Sequence, residues 1–162
     1  MVADATGLPA ELAALLVNQG IKSADAAQRW LNPQPEDLHT PDALHDVDRA
    51  VERIMAAVEA GEKITVYGDY DADGITATTL MYEALETLGA QVDYYVPDRF
   101  TDGYGPNQAV YQRLIEGGTQ LIVTVDNGVA GLAAIEYAKE QGVDVVITDH
   151  HALQIGRASC RE

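Results

Sequence analysis

From Lys63 onward the chain alternates short β-rich runs with helical stretches, and no other feature constrains its fold as strongly. The β-rich runs are Ile64 to Tyr67, Gln91 to Val96, Leu121 to Val125 and Val143 to Thr148. Their Val, Ile and Tyr content suits a pleated, buried surface. Between them lie helical patterns at about Ile75 to Leu88, Asn107 to Glu116 and Ala130 to Gln141. Strands separated by a helix's length of chain cannot be joined as hairpins, so the βαβαβαβ order predicts the α/β class: a parallel sheet with flanking helices and right-handed crossovers.

The residues ahead of this rhythm read as all-helical. Leu12, Leu15 and Leu16 recur at helical spacing up to Gly20. A second helix follows a Ser23 cap, carries Ala24, Ala27, Trp30 and Leu31 on one face, and stops before Pro33 and Pro35. Asn32 to Pro41 reads as a linker. A third helix carries Val47, Ala50, Val51, Ile54, Met55 and Val58 as a continuous apolar stripe and closes at Gly61. Trp30 and Met55 lie on such apolar faces, so core packing is expected of both. The expected division is a helical leader over 1–62, an α/β domain over 63–153, and a tail over 154–162.

With 26 acidic against 10 basic side chains and a formal net charge of -16, the composition argues against a surface built to grip phosphate backbones. That inference reverses locally if several carboxylates are metal ligands, because bound cations invert the local charge. The single cysteine, Cys160, excludes an intrachain disulfide, and the cytoplasm is the expected location. No stretch approaches a membrane span, and no membrane partner is expected.

In open parallel sheets functional groups gather beyond the carboxyl ends of the strands. Three of the four expected strands end in acids or histidines. The first runs into Gly68-Asp69-Tyr70-Asp71-Ala72-Asp73-Gly74, the third into Asp126-Asn127-Gly128, and the fourth into Asp149-His150-His151. Asp-Gly after a strand is by itself a common turn or helix cap. Three such ends together predict one crevice. Crowded carboxylates repel one another unless a cation sits among them, and no Lys or Arg is close in sequence. A mixed Asp/His set without thiolates suits Mn²⁺ or Mg²⁺. A pair of such ions, roughly 4 Å apart, activates water and stabilises phosphoryl charge, which is the chemistry of phosphoester hydrolysis.

At these residues the chain resembles a known family. Val66 to Gly74, V-Y-G-D-Y-D-A-D-G, resembles the first motif of the DHH phosphoesterase superfamily in its RecJ-type form. Val125 to Gly128, V-D-N-G, resembles the second motif, and Thr148 to His151, T-D-H-H, the third. Arg99 to Asn107, R-F-T-D-G-Y-G-P-N, is similar to a segment that RecJ-type proteins carry between the first two. The resemblance runs from Leu8 to Leu153. It implies metal-dependent 5′-to-3′ hydrolysis of single-stranded DNA, in DNA repair and recombination, with a two-metal Mn²⁺ or Mg²⁺ site.

Carried over by position, it implies metal ligation and catalysis by Asp71, Asp73, Asp126 and His150, with Asp69 a secondary ligand candidate. It places His151 against the scissile phosphate. Arg99 becomes a phosphate contact, and Gly103, Tyr104, Gly105 and Asn107 shape the nucleic-acid channel. The implied partners are single-stranded DNA, a single-strand-binding protein and a helicase. Tyr67 departs from the family's frequent His, which shifts weight onto Asp69; Asn127 and Pro106 replace a frequent Cys and Leu.

Gln154 to Glu162 abandons the apolar patterning and matches nothing expected of the family, so it is expected to be a non-native read-through tail, Cys160 included. On that expectation the chain is a fragment, inactive alone. The alternatives are a DHH-family small-nucleotide phosphodiesterase, an oligoribonuclease or a pyrophosphatase. From other classes come a phospho-receiver domain, which would need a Lys where this chain has His-His, and a non-catalytic DHH-like scaffold, which should have lost motif acids.

Overall fold

The computed structural model describes residues 2–152; the tail expected over 154–162 lies outside the described residues. The chain divides into two compact units, Met1–Val47 and Asp48–Glu162. The first holds helices α1 (Val2–Thr6), α2 (Ala10–Asn18) and α3 (Ala24–Leu31), then 3-10 turns at Pro35–Asp37 and Pro41–Ala43 in the expected linker. Val2, Ala13, Leu16 and Ala27 form its small core. Ser23 caps α3 by accepting from the Ala26 N–H at 3.1 Å, as its position predicts.

Trp30 corrects an expectation: it is 61% exposed rather than packed. Ala27 is the residue of α3 that the small core buries, and the Trp30 indole stays outside that core. Trp30→Ala is therefore expected to change unfolding free energy by no more than about 0.5 kcal/mol. Fluorescence of this single tryptophan should report a solvated indole in the folded chain; a buried, blue-shifted emission would contradict the placement.

The second unit is a three-layer α/β/α arrangement. Its elements are α4 (Val47–Ala60), β1 (Lys63–Tyr67), α5 (Ala72–Thr87), β2 (Gln91–Tyr95), α6 (Gln108–Glu116), β3 (Leu121–Val125), α7 (Leu132–Glu140) and β4 (Asp144–Thr148). All strand pairs are parallel and the order is β2-β1-β3-β4. The side-chain period of two divides the core between the faces. Ile64, Val66, Leu121, Val123 and Val125 point to one face, against Ile54, Ala57 and Val58 of α4 and Ala77, Met81 and Leu85 of α5. Tyr67 and Ile122 point to the other, against Val110 and Tyr111 of α6 and Ala134 and Ala138 of α7. Fully burying each large aliphatic side chain of β1 and β3 contributes about 1.5–3 kcal/mol, so these inner strands dominate the core.

Two further expectations are corrected here. The sequence pattern groups α4 with the helical leader, but Ile54, Ala57 and Val58 pack on the sheet, and Arg53 donates to Asp144 at the start of β4 at 2.6 Å and to Glu62 at 2.7 Å. It belongs to the sheet unit. Its buried face centres on Ala57, where the helix approaches the strands closely, so Val51 of the expected stripe is exposed.

The order β2-β1-β3-β4 matters for the site. The chain leaves β1 to one side for β2, then crosses to the other side for β3, so the loops after β1 and β3 diverge. That divergence opens a crevice at the carboxyl end of the sheet, where ligands bind in folds of this class.

Candidate metal and phosphate site

The loop after β1 enters the crevice first. Asp71 is the N-cap of α5, its Oδ1 accepting from the Gly74 N–H at 2.9 Å. Asp69 is only 2% exposed, and its Oδ1 has no hydrogen-bond partner among the described residues. Burial, aided by the charges of Asp71 and Asp126, raises its pKa, partly offset by N–H groups of Tyr70 and Asp71. Gly74 makes this loop possible, because a Cβ there would lie 2.5 Å from the Asp69 carbonyl oxygen. An unpaired buried carboxylate oxygen among other carboxylates is costly unless a cation completes it.

The end of β3 supplies Asp126 at φ +60°, a left-handed conformation that Asp tolerates better than most residues. Its N–H donates to the Thr148 carbonyl at 2.9 Å, which aligns it with the end of β4. Its carboxylate, 8% exposed, meets His150 Nε2 at 2.8 Å. Ligand atoms of Asp126, His150 and His151 all lie within 4.8 Å of one another. Asp73 joins Asp126 and His150 around a shallow hollow of about 320 Å³.

Asp149 organises the two histidines. Its side chain is 1% exposed; Oδ1 accepts from the His151 N–H at 3.0 Å and from Nδ1 at 2.7 Å, and Oδ2 accepts from the Val129 N–H at 3.0 Å. The carboxylate thus selects the His151 tautomer and leaves Nε2 facing the cleft. This bond raises the His151 pKa. Burial pushes the Asp149 carboxyl up, but the N–H groups of His151 and Val129 and the His151 ring together outweigh it, and the net shift is downward.

Arg99 and Tyr104 form the outer wall. The Arg99 guanidinium lies 4.4 Å from the Tyr70 ring centroid, and the Tyr104 ring meets Tyr70 edge-on at 6.4 Å. The Tyr104 hydroxyl is 3.3 Å from His151 Nε2. Gly105 offers its carbonyl to the Tyr67 hydroxyl at 3.1 Å, and Asn107 caps α6. Tyr67 is fully buried between Tyr95 and Tyr111, so its side chain serves the loop rather than the carboxylates.

The sequence-based candidates thus separate by place. Asp126, His150 and His151 form the tight group, Asp73 borders it, and Asp69 and Asp71 interact with one another across the β1 loop. Gly103 and Asn107 stay in the 98–107 loop without touching that group among the described contacts. Asp149 was missed as a functional residue, and its position at a strand end beside two histidines was the available signal. The donor set, carboxylate oxygens and imidazole at Asp126, His150 and His151 with the unpaired buried Asp69 carboxylate in the neighbouring β1 loop, fits a hard divalent cation.

The sequence matches the DHH family, N-terminal domain, over residues 63–160. It is 46% identical over 140 residues to the single-stranded-DNA-specific exonuclease RecJ of Bacillus subtilis, covering 86% of this chain and 18% of that protein. To the Escherichia coli RecJ it is 41% identical over 155 residues, covering 93% of this chain and 26% of that protein. Among solved structures, an exonuclease RecJ bound to manganese matches with TM-score 0.65 and 36% identity, over 68% of this chain and 29% of that one. RecJ from Thermus thermophilus in complex with Mn²⁺ matches with TM-score 0.64 and 28% identity, over 95% of this chain and 21% of that one. The chain therefore spans only about a fifth to a quarter of the length of these curated relatives.

Proposed function

This chain belongs to the DHH family, and from that premise we propose that it contributes the metal-binding half of a phosphodiesterase site acting on single-stranded DNA as an exonuclease. One observation carries the proposal: Asp126, His150 and His151, from the ends of β3 and β4, bring their ligand atoms within 4.8 Å of one another, and Asp73 from the β1 side of the crevice borders the same hollow. The names of the similar proteins supply the substrate, single-stranded DNA. The proposal extends to DNA repair and recombination in the cytoplasm, with a single-strand-binding protein and a helicase as partners.

Asp71, Asp73, Asp126 and His150 are the residues that would hold Mn²⁺ or Mg²⁺, with Asp69 as a further oxygen donor. When bound, the cation supplies Lewis-acid stabilisation of phosphoryl charge and a water of lowered pKa. The chain's own groups do the rest. Asp149 holds His151 by Nδ1, so that its Nε2 is presented to a non-bridging oxygen or to the leaving oxygen as a donor when protonated. The Asp149 contact favours that protonated form. Arg99, displayed on Tyr70, offers a fork of donors to a neighbouring phosphate. Tyr104 offers a ring face to a base.

The proposal is tested by titrating the chain with Mn²⁺ under electron paramagnetic resonance, then assaying release of nucleotides from labelled single-stranded DNA beside the Bacillus subtilis relative. Saturable Mn²⁺ binding, with the cation taking the place of the direct His150–Asp126 contact, is expected. Absence of specific Mn²⁺ binding, or DNA cleavage that persists in excess chelator, would remove the metal site from the account.

A further inference from the structure

We propose that Asp102 is a positioning residue: it fixes the 98–107 loop so that Arg99 and Tyr104 already face the cleft beside His151 before a strand arrives. The inference rests on the function proposed above, in which Arg99 and Tyr104 meet the substrate.

The loop is a long connection from the end of β2 to α6, and an unconstrained loop of that length would sample many conformations. Asp102 ties it at four places. Its Oδ2 accepts from the Tyr95 hydroxyl at 2.7 Å and from the Asp98 N–H at 2.9 Å. Its own N–H donates to the Asp98 carbonyl at 2.9 Å, and its carbonyl accepts from Asn107 Nδ2 at 2.9 Å. Arg113 of α6 lies 3.6 Å from Oδ1 and also donates to the Tyr95 hydroxyl at 3.0 Å. The carboxylate, 12% exposed, thereby joins the end of β2, the start of the loop and α6, while the Asp102 main chain ties in Asp98 and Asn107. The hydroxyl of Tyr95 and the Asp98 N–H hold it in its charged form, its pKa lying below the usual carboxylate range.

Each tie has a consequence for the cleft. With the Asp98 N–H anchored, Asp98 Oδ1 accepts from the N–H groups of Phe100 and Thr101 at 2.8 and 3.0 Å, and this tight turn sets the direction in which Arg99 leaves the backbone. Arg99 then lies over Tyr70. On the far side of Asp102, the Tyr67 hydroxyl holds the Gly105 carbonyl, and Tyr104 between the two anchors reaches His151. Holding substrate-contacting groups in place beforehand removes an ordering cost from the binding step. The metal-ligating residues belong to other loops, so Asp102 should affect strand binding and not cation binding.

Asp102→Asn keeps the side chain's shape but leaves one acceptor oxygen where two are used, and it turns an NH₂ group toward either the Tyr95 and Asp98 donors or Arg113. The test compares this variant with the wild-type chain by NMR and by binding of a 5′-phosphorylated oligothymidylate in Mg²⁺. The expected result is loss of the Tyr70 ring-current shift on the Arg99 side chain and about tenfold weaker oligonucleotide binding, with Mn²⁺ affinity within about twofold of wild type. Arg99→Ala should weaken binding by itself and add little in the Asp102→Asn background, since both act through one contact. Should Asp102→Asn fail to fold, Tyr95→Phe removes a single bond to the carboxylate and should give the same changes at smaller size. Failure of the wild-type chain to bind the oligonucleotide, or indifference to Arg99→Ala, would overturn the substrate role on which the inference rests. Sensitivity to Arg99→Ala together with an unchanged Arg99–Tyr70 shift in Asp102→Asn would overturn the positioning role alone.

Discussion

Asp126→Asn is expected to lower Mn²⁺ affinity by more than about 100-fold, beyond the 10–100-fold cost of losing an outer-shell partner. It should also abolish any metal-dependent cleavage of DNA. Asp126 has the most constrained position in the cleft: its backbone is left-handed, its N–H is bonded across to the end of β4, and its carboxylate contacts His150. The asparagine variant is the informative one because Asn tolerates φ +60° about as well as Asp, whereas alanine there adds roughly 1–2 kcal/mol of backbone strain. Removing the negative charge also relieves Asp69, whose pKa it helps to raise. The variant should therefore unfold at a temperature equal to or above that of the wild type while failing to bind Mn²⁺. Asp71→Ala is a poorer probe, since Asp71 caps α5 and its loss costs about 0.5–2 kcal/mol in addition to any ligand effect. Mn²⁺ titration by electron paramagnetic resonance, paired with thermal denaturation, separates the two quantities. Wild-type affinity in Asp126→Asn would mean that the cation is held elsewhere.

Gly74→Ala should damage fold and site together. The added methyl would sit 2.5 Å from the Asp69 carbonyl oxygen and 2.6 Å from its Cβ, and neither can swing away because one is backbone and the residue is buried. Either α5 shifts along its axis or the 68–71 loop is pushed into the cleft. Overpacking of this kind costs about 1–3 kcal/mol, which in a chain of this size lowers Tm by roughly 3–10 °C. Mn²⁺ affinity should fall as Asp69 and Asp71 move. Gly61→Ala is the matched control: its φ is +67°, so alanine is strained there too, but nothing lies within 4 Å of the added Cβ. It should lose stability without losing Mn²⁺ affinity. Equal effects of the two substitutions on Mn²⁺ binding would show that close approach at Gly74 does not shape the site.

Much of this architecture is legible in the amino-acid sequence. The four strands lie within one residue of their expected starts: the inner strands β1 and β3, buried on both faces, show themselves as apolar runs bounded by polar residues, and the edge strands β2 and β4 as short β-branched and aromatic runs. Asp71, Asp73, Asp126, His150 and His151 stand out for a similar reason, each lying just beyond such a run. Burial and partners are not legible in that way. Trp30 lies on an apolar helical face yet is exposed, and Val51 belongs to an apolar stripe that turns partly to solvent. Periodicity says that a face is apolar and does not say what will cover it.

What the linear chain determined by itself was the α/β class, the strand positions, the approximate spans of the helices from α2 onward, though not α1 or the early start of α5 at Ala72, and the set of acids and histidines at strand ends, since these follow from patterns a few residues long. Only the tertiary structure decided that β1 lies between β2 and β3, which places the loops after β1 and β3 on either side of one crevice. It alone decided that Asp149 reaches Val129 and His151, that Tyr67 holds Gly105, and that Asp102 ties Tyr95 to Asp98 and Asn107. Apart from the local Asp149–His151 and Asp102–Asp98 bonds, each of those contacts joins residues from different elements or across a loop. Whether two such groups meet depends on how helices and strands pack, and packing is settled by the summed burial of the whole core rather than by any segment of the sequence.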